Sequence, residues 1–220
     1  MSVLFEPYEL GGIQLRNRFV RSATMENMAL ENGHPLPQLF ETYRELAEGG
    51  VGMVNTSAIF PDAGWNPGHP MRPMILGSDR VIPLFARLVE GVHRAGARIT
   101  AQLGPPFCLN GEPIAPSPYS PGTPAKAMPR EVTRGEMEQI LATYREAARR
   151  SREAGFDAVQ IHAAHGYTLA KFLSPLFNRR TDEYGGSAEN RARFIVEIFR
   201  AMKEGAGEDF PVFIKMNGAD

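Results

Sequence analysis

The chain has 220 residues, 43% hydrophobic and 22% charged, with 24 basic against 25 acidic side chains and a net charge of −1. That length suffices for one domain with a full core, and the balanced charge gives no reason to expect nucleic acid or an anionic membrane surface as partner. One cysteine, Cys108, excludes an internal disulfide and a chain-held iron–sulfur cluster, and with no secretory leader or membrane-length apolar run the expectation is a soluble, cytoplasmic protein.

Tyr8 to Leu15 reads as a small hairpin, two short strands around Gly11-Gly12. Arg18 to Thr24 is the first expected core strand. Pro37 opens a helix through Glu48, closed by Gly49 and Gly50, and Val51 to Phe60 is the second strand. Asp79 to Ala95 is an amphipathic helix with Ile82, Phe85, Val89 and Val92 on one stripe. Gly96 ends it and Arg98 to Gly104 is strand three. After a proline-rich loop, Thr133 and Glu136 make a capping box for a helix running to Ala154. Strand four starts at Asp157. Ser187 begins a helix that buries Phe194, Ile195, Ile198, Phe199 and Met202, and Pro211 to Gly218 is strand five.

Amphipathic helix, glycine, short strand is therefore a recurring unit: EGG-VGMVNT, RAG-ARITAQ, EAG-FDAVQI and EGAGEDF-PVFIKM. Glycine past a helix end supplies a left-handed cap, and such alternation implies an α/β fold with a parallel sheet, as a barrel or a doubly wound sheet would both give. Within strands three to five an aliphatic set (Ile99, Ala101, Leu103; Val159, Ile161; Val212, Ile214, Met216) alternates with a more polar set (Thr100, Gln102; Gln160, His162; Lys215, Asn217). Aliphatic side chains under the helices and polar ones around a mouth suit a (β/α)8 TIM barrel. Five strands use the whole chain, and on the order of 100–150 further residues would be needed to close eight. Residues 1–220 are thus expected to be the N-terminal part of one barrel domain, its core strands lying between 18 and 218.

Asp157 to Arg193 carries the densest chemistry. A strand breaks at Gly166 into a polar loop that delivers His162, His165 and Tyr167 together. Titratable groups at the carboxyl end of a strand are where α/β enzymes act. No third ligand stands at a telling distance from the two histidines, so no metal is expected. In RRTDEYGG, Arg179, Arg180, Asp182 and Glu183 read as a salt-bridged scaffold for the loop.

HAAHGY, then FLSPLFNRRTDEYGGSAENRARF, with NRFVRSAT upstream and VFIKMNGAD downstream, resembles the Old Yellow Enzyme family of FMN-dependent NAD(P)H:flavin oxidoreductases and ene-reductases. The likeness covers effectively the whole chain. It implies the TIM barrel, FMN as cofactor and NADH or NADPH as hydride donor. By the same resemblance, His162 and His165 bind the oxygen of the substrate's activating carbonyl and Tyr167 gives the proton. Gln102 and Lys215 match flavin-contacting positions, Ser22, Ala23, Thr24 and Met25 match the turn beside the flavin, and Ala58 matches a small residue leaving room for the ring. Thr24 and Met25 both remain candidates for the residue that tunes its potential. Two positions depart from the pattern: many relatives have arginine where Lys215 stands, and a His-Ala-Gly-Arg type run where this chain has Leu103-Gly104-Pro105-Pro106-Phe107.

The expected activity is hydride transfer from NAD(P)H through FMN to an electron-poor alkene such as an α,β-unsaturated carbonyl. A flavin-free barrel lyase or aldolase, and an inactive partial barrel serving as a binding module, stand as alternatives. The partner implied is a small-molecule substrate, with a homo-oligomer left open.

Overall fold

The structure, a computed structural model, describes residues 2–61, 71–119 and 128–218. Ala219 and Asp220, the end of the VFIKMNGAD motif, lie outside the described residues.

β1 (Tyr8–Leu10) and β2 (Ile13–Leu15) pair antiparallel around Gly11 and Gly12. Both glycines hold positive φ, 58° and 85°, the backbone a tight two-residue hairpin turn needs. The main sheet follows. β3 (Val20–Arg21), β4 (Met53–Asn55), β7 (Arg98–Leu103), β11 (Ala158–Ala163) and β12 (Val212–Met216) pair in sequence order, every ladder parallel. Helices α1 (Pro37–Glu48), α2 (Ile82–Arg94, after a 3-10 turn at Asp79–Val81), α3 (Arg134–Glu153) and α5 (Ala188–Ala206) alternate with them. Gly50, Gly96 and Gly155 hold the expected positive φ, 103°, 82° and 87°, whereas Gly207, at φ 95° and ψ 150°, ends α5 with an extended ψ rather than a left-handed cap. The Thr133–Glu136 capping box forms with both of its reciprocal bonds.

Strand five shrinks from 211–218 to Val212–Met216, and strands one and two depart further, for identifiable reasons. Arg18 to Thr24 narrows to Val20–Arg21, because β3 is an edge strand and its one ladder stops where β4 stops. Val51 to Phe60 splits into β4 and β5 (Ile59–Phe60), which pairs with β6 (Met74–Ile75). At the break the Thr56 hydroxyl accepts the Gln102 backbone N–H at 3.1 Å while the Thr56 N–H donates to the Thr100 carbonyl at 3.0 Å. A side chain standing in for a ladder carbonyl displaces one strand against its neighbour.

Two features were not anticipated. The loop after β7 carries a hairpin, β8 (Cys108–Leu109) against β9 (Glu112–Ala115), with β10 (Arg130–Glu131) added parallel to β9. Its signal was in the sequence: Asn110-Gly111, which adopt φ of 53° and 80°, are the strongest short hairpin dipeptide. The loop after β11 contains α4 (Thr168–Leu173), six residues anchored by buried Leu169, Ala170 and Phe172, where a polar loop was expected.

The parity of β7 and β11 holds, with Ile99, Ala101, Leu103, Val159 and Ile161 fully buried. In β12 it fails: Ile214 and Met216 are 42% and 53% exposed, since this strand ends the strand order. Likewise Phe199 of α5 is exposed rather than buried.

The sheet is strongly curved. Ile13 and Leu15 of the hairpin pack against Met53 of β4, Ala158 of β11 and Phe213 of β12, so one small plug touches three strands from inside the arc. The Lys215 ammonium donates to the Ser22 hydroxyl at 3.2 Å, although β12 and β3 lie at opposite ends of the strand order. The sheet is an open half-barrel.

Candidate active site

The concave face opens at the carboxyl ends of the strands into a cleft lined by Ala23, Thr24, Met25, Ala58, Gln102 and Lys215, together with His162, His165 and Tyr167. Of the residues singled out from the sequence, only Ser22 is not in that lining, and it touches the lining through Lys215. Among the described residues Phe60, Met71, Pro105 and Phe107 are the rest of it. These four were missed because an apolar side chain has no chemical signature of its own.

β11 delivers the histidines. His162 is its fifth residue, on the inner face and buried, and its Nδ1 accepts the Ala164 backbone N–H at 3.4 Å. That contact leaves the ring proton on Nε2, making the free nitrogen a donor. Burial, reinforced by the nearby imidazole of His165 and ammonium of Lys215, pulls its pKa down to about 4, so the ring is neutral at pH 7. His165 stands at φ 61°, followed by Gly166 at φ 70°. Two successive left-handed residues make the tight turn that swings Tyr167 back, and the His165 N–H is tied to Asn217 Oδ1 at 2.9 Å. The three rings then meet edge to face, His162 with His165 at 5.1 Å, His162 with Tyr167 at 5.3 Å and His165 with Tyr167 at 6.4 Å between centroids. Tyr167 is the N-terminal flanking residue of α4 and 39% exposed, its position set by a helix buried beneath it.

Gln102 is buried, and its Nε2 donates to Gln160 Oε1 at 2.8 Å. Lys215 is half-buried; among the described residues its ammonium has the Ser22 hydroxyl as partner and no carboxylate within ion-pair distance. The edge position of β12 leaves this lysine partly solvated.

The 22–26 segment rests on a buried network absent from the sequence reading. Arg21 pairs with Glu26 and donates to the Asn55 carbonyl at 3.0 Å. Tyr43, fully buried, donates to Glu26 Oε2 at 3.3 Å and accepts the Ser57 N–H at 2.6 Å. The Ser57 hydroxyl in turn donates to Met25 Sδ at 3.3 Å. Burial, then the Glu26 charge, pushes the Tyr43 phenol far above its ordinary pKa. The network thus fixes Met25, whereas Thr24 is exposed and, among the described residues, its hydroxyl donates to the Ser22 carbonyl at 3.4 Å.

The RRTDEYGG scaffold holds with one change. Arg180 bonds Asp182 at 2.6 Å and the Pro116 and Val132 carbonyls at 3.2 and 2.9 Å, and Glu183 pairs with Arg134 at 2.5 Å. Arg179 instead lays its guanidinium over the Tyr119 ring, 3.4 Å from the centroid.

A family model described as NADH:flavin oxidoreductase / NADH oxidase matches residues 3–220. A metal reductase of Desulforamulus reducens is 38% identical, over all of this chain and 33% of its own length. An NADPH dehydrogenase of Listeria monocytogenes is 37% identical over all of this chain and 65% of its own. The crystal structure of Old Yellow Enzyme from a Pichia species superposes with a TM-score of 0.87 at 30% identity, covering 98% of this chain and 59% of that one. The chain thus spans about one to two thirds of the length of these relatives, and its half-barrel corresponds to part of a TIM barrel.

The cleft fits a flavin. A carboxamide that donates and accepts, an ammonium without a carboxylate, and the small side chains of Ala23 and Ala58 suit the polar edge and flat face of an isoalloxazine. With a match across residues 3–220, the chain belongs to the FMN-dependent NADH:flavin oxidoreductase / NADH oxidase family, of the Old Yellow Enzyme type.

Proposed function

We propose that residues 1–220 are the N-terminal part of a single FMN-binding barrel domain of a cytoplasmic ene-reductase, acting on α,β-unsaturated carbonyl compounds with NADH or NADPH as donor. Bound FMN would supply two-electron transfer, taking a hydride from NAD(P)H and giving one to the alkene. Gln102 and Lys215 would hold the pyrimidine edge, the ammonium favouring the anionic reduced form. Ala23, Met25 and Ala58 would lie against the ring, with Ser22 orienting Lys215 and Met25 rather than Thr24 as the fixed neighbour. Neutral His162, donating from Nε2, and His165 would bind the carbonyl oxygen and stabilise the charge it gains as hydride reaches the β-carbon. Tyr167 would protonate the α-carbon.

The observation that carries this reading is the meeting of His162, His165 and Tyr167 in the same cleft as Gln102 and Lys215. The test separates the two halves of turnover in the holoenzyme. Tyr167→Phe keeps the ring and deletes only the hydroxyl. Flavin bleaching by NAD(P)H should stay near wild type in stopped flow, while reoxidation by an enone should slow by about 10²–10⁴, the usual contribution of a general acid. Equal enone rates in both proteins would reduce Tyr167 to a wall residue.

A further inference from the structure

We propose that Phe107 is a specificity-determining residue, directing the enzyme to acceptors whose activated double bond carries an aromatic substituent. This rests on the ene-reduction proposed above and names the substrate class within it. The loop after β7 runs Gly104-Pro105-Pro106-Phe107, and its start is fixed at both backbone groups of Gly104. The Gly104 N–H donates to the Ile59 carbonyl at 2.8 Å, and its own carbonyl accepts the buried Tyr144 hydroxyl at 2.6 Å. The Phe60 ring lies on this glycine so closely that an added Cβ would stand 3.2 Å from Cζ. Phe107 leans on Phe60 with centroids 5.5 Å apart, and meets Tyr167 edge-on at 5.1 Å and 78°. The Ile114 N–H holds the Phe107 carbonyl at 3.0 Å, at the root of the β8–β9 hairpin. Phe107 is thus placed by its backbone on one side and by two rings on the other.

The consequence is a polarity gradient along the cleft. Tyr167 meets both Phe107 and His162, Phe107 also meets Phe60, and among the described residues Met71 and Pro105 add to the apolar part of the lining. A ligand with its oxygen on the histidines and its double bond beside Tyr167 would extend its remaining substituent along apolar, largely aromatic surface. A flat ring gains most there, through offset or edge contacts that an alkyl group does not make.

Two acceptors differing only at that substituent decide the matter: 4-phenyl-3-buten-2-one and 3-penten-2-one, phenyl against methyl. In the holoenzyme, Phe107→Ala should lower the ratio of kcat/KM for phenyl over methyl by roughly 10-fold, the loss of an aromatic contact and the apolar area it covers. Phe107→Tyr, which keeps the ring, should restore the ratio. A ratio within about two-fold of wild type in Phe107→Ala would overturn the proposal. If wild type reduces neither enone, the ene-reductase reading fails by itself. Calorimetric binding of 4-phenylphenol against phenol then carries the test, with the same fall expected and an unchanged ratio refuting it. Should Phe107→Ala not fold by circular dichroism, Phe107→Leu, near in volume but without a ring, is read by the same ratios.

Discussion

His162 shows how a side chain tuned for a task burdens the fold. Burial first, and the neighbouring His165 and Lys215 second, hold its pKa near 4, whereas an unfolded imidazole titrates near pH 6.5. Between these values the unfolded chain binds a proton that the folded chain does not. Stability is therefore unaffected above about pH 6.5, falls with acid through that window, and levels off below pH 4. Between pH 7 and 4 the native protein should lose on the order of 2 kcal/mol more than His162→Gln, allowing for solvent at the open cleft. Urea unfolding midpoints of the two proteins at both pH values measure this, and equal losses would mean that the ring titrates as if free. The three polar residues of this site were legible in HAAHGY because each brings titratable chemistry to the end of one strand. Phe107 was not, since only a ring neighbour distant in sequence gives it a role.

Elements met one another at places the chain marks only with small residues. α3 and α5 cross so closely at Gly205 that an added Cβ would lie 2.1 Å from the Arg145 carbonyl oxygen. Backbone cannot yield as a flexible side-chain tip can. Gly205→Ala should therefore destabilise by about 1–3 kcal/mol despite its better helix propensity, read as a lower urea midpoint with an unchanged slope. A gain in stability would show that the helices can part at little cost. Helices α1, α2, α3 and α5 were readable nearly to the residue, because their stripes and capping residues are local, whereas the six-residue α4 was not. Strand ends were not: where β3 stops depends on β4, and the break at Thr56 depends on the N–H of Gln102 on another strand.

Among the described residues β3 and β12 end the main run of strands, and each carries exposed apolar side chains, Val20 on β3 and Ile214 and Met216 on β12. Such edges are templates for pairing with another chain. The 220-residue chain should associate with rising concentration in sedimentation velocity, and Ile214→Lys with Met216→Lys should suppress it; a wild-type chain that stays monomeric would count against the edges as the cause. A parallel α/β fold was legible from four repeats of one unit, and strand parity suited a barrel, while the curvature was not legible, because the hairpin plug joins residues remote in sequence. That plug has a consequence for how the protein is made. Ile13 and Leu15 leave the ribosome well before Phe213, which packs against them from β12. Until β12 emerges the hairpin must wait with part of its apolar face uncovered, and Ser22 waits likewise for Lys215. Ladder by ladder, each closure spends chain entropy before its contacts form. The cleft therefore takes shape only after β12 has paired with β11 and brought Lys215 to Ser22.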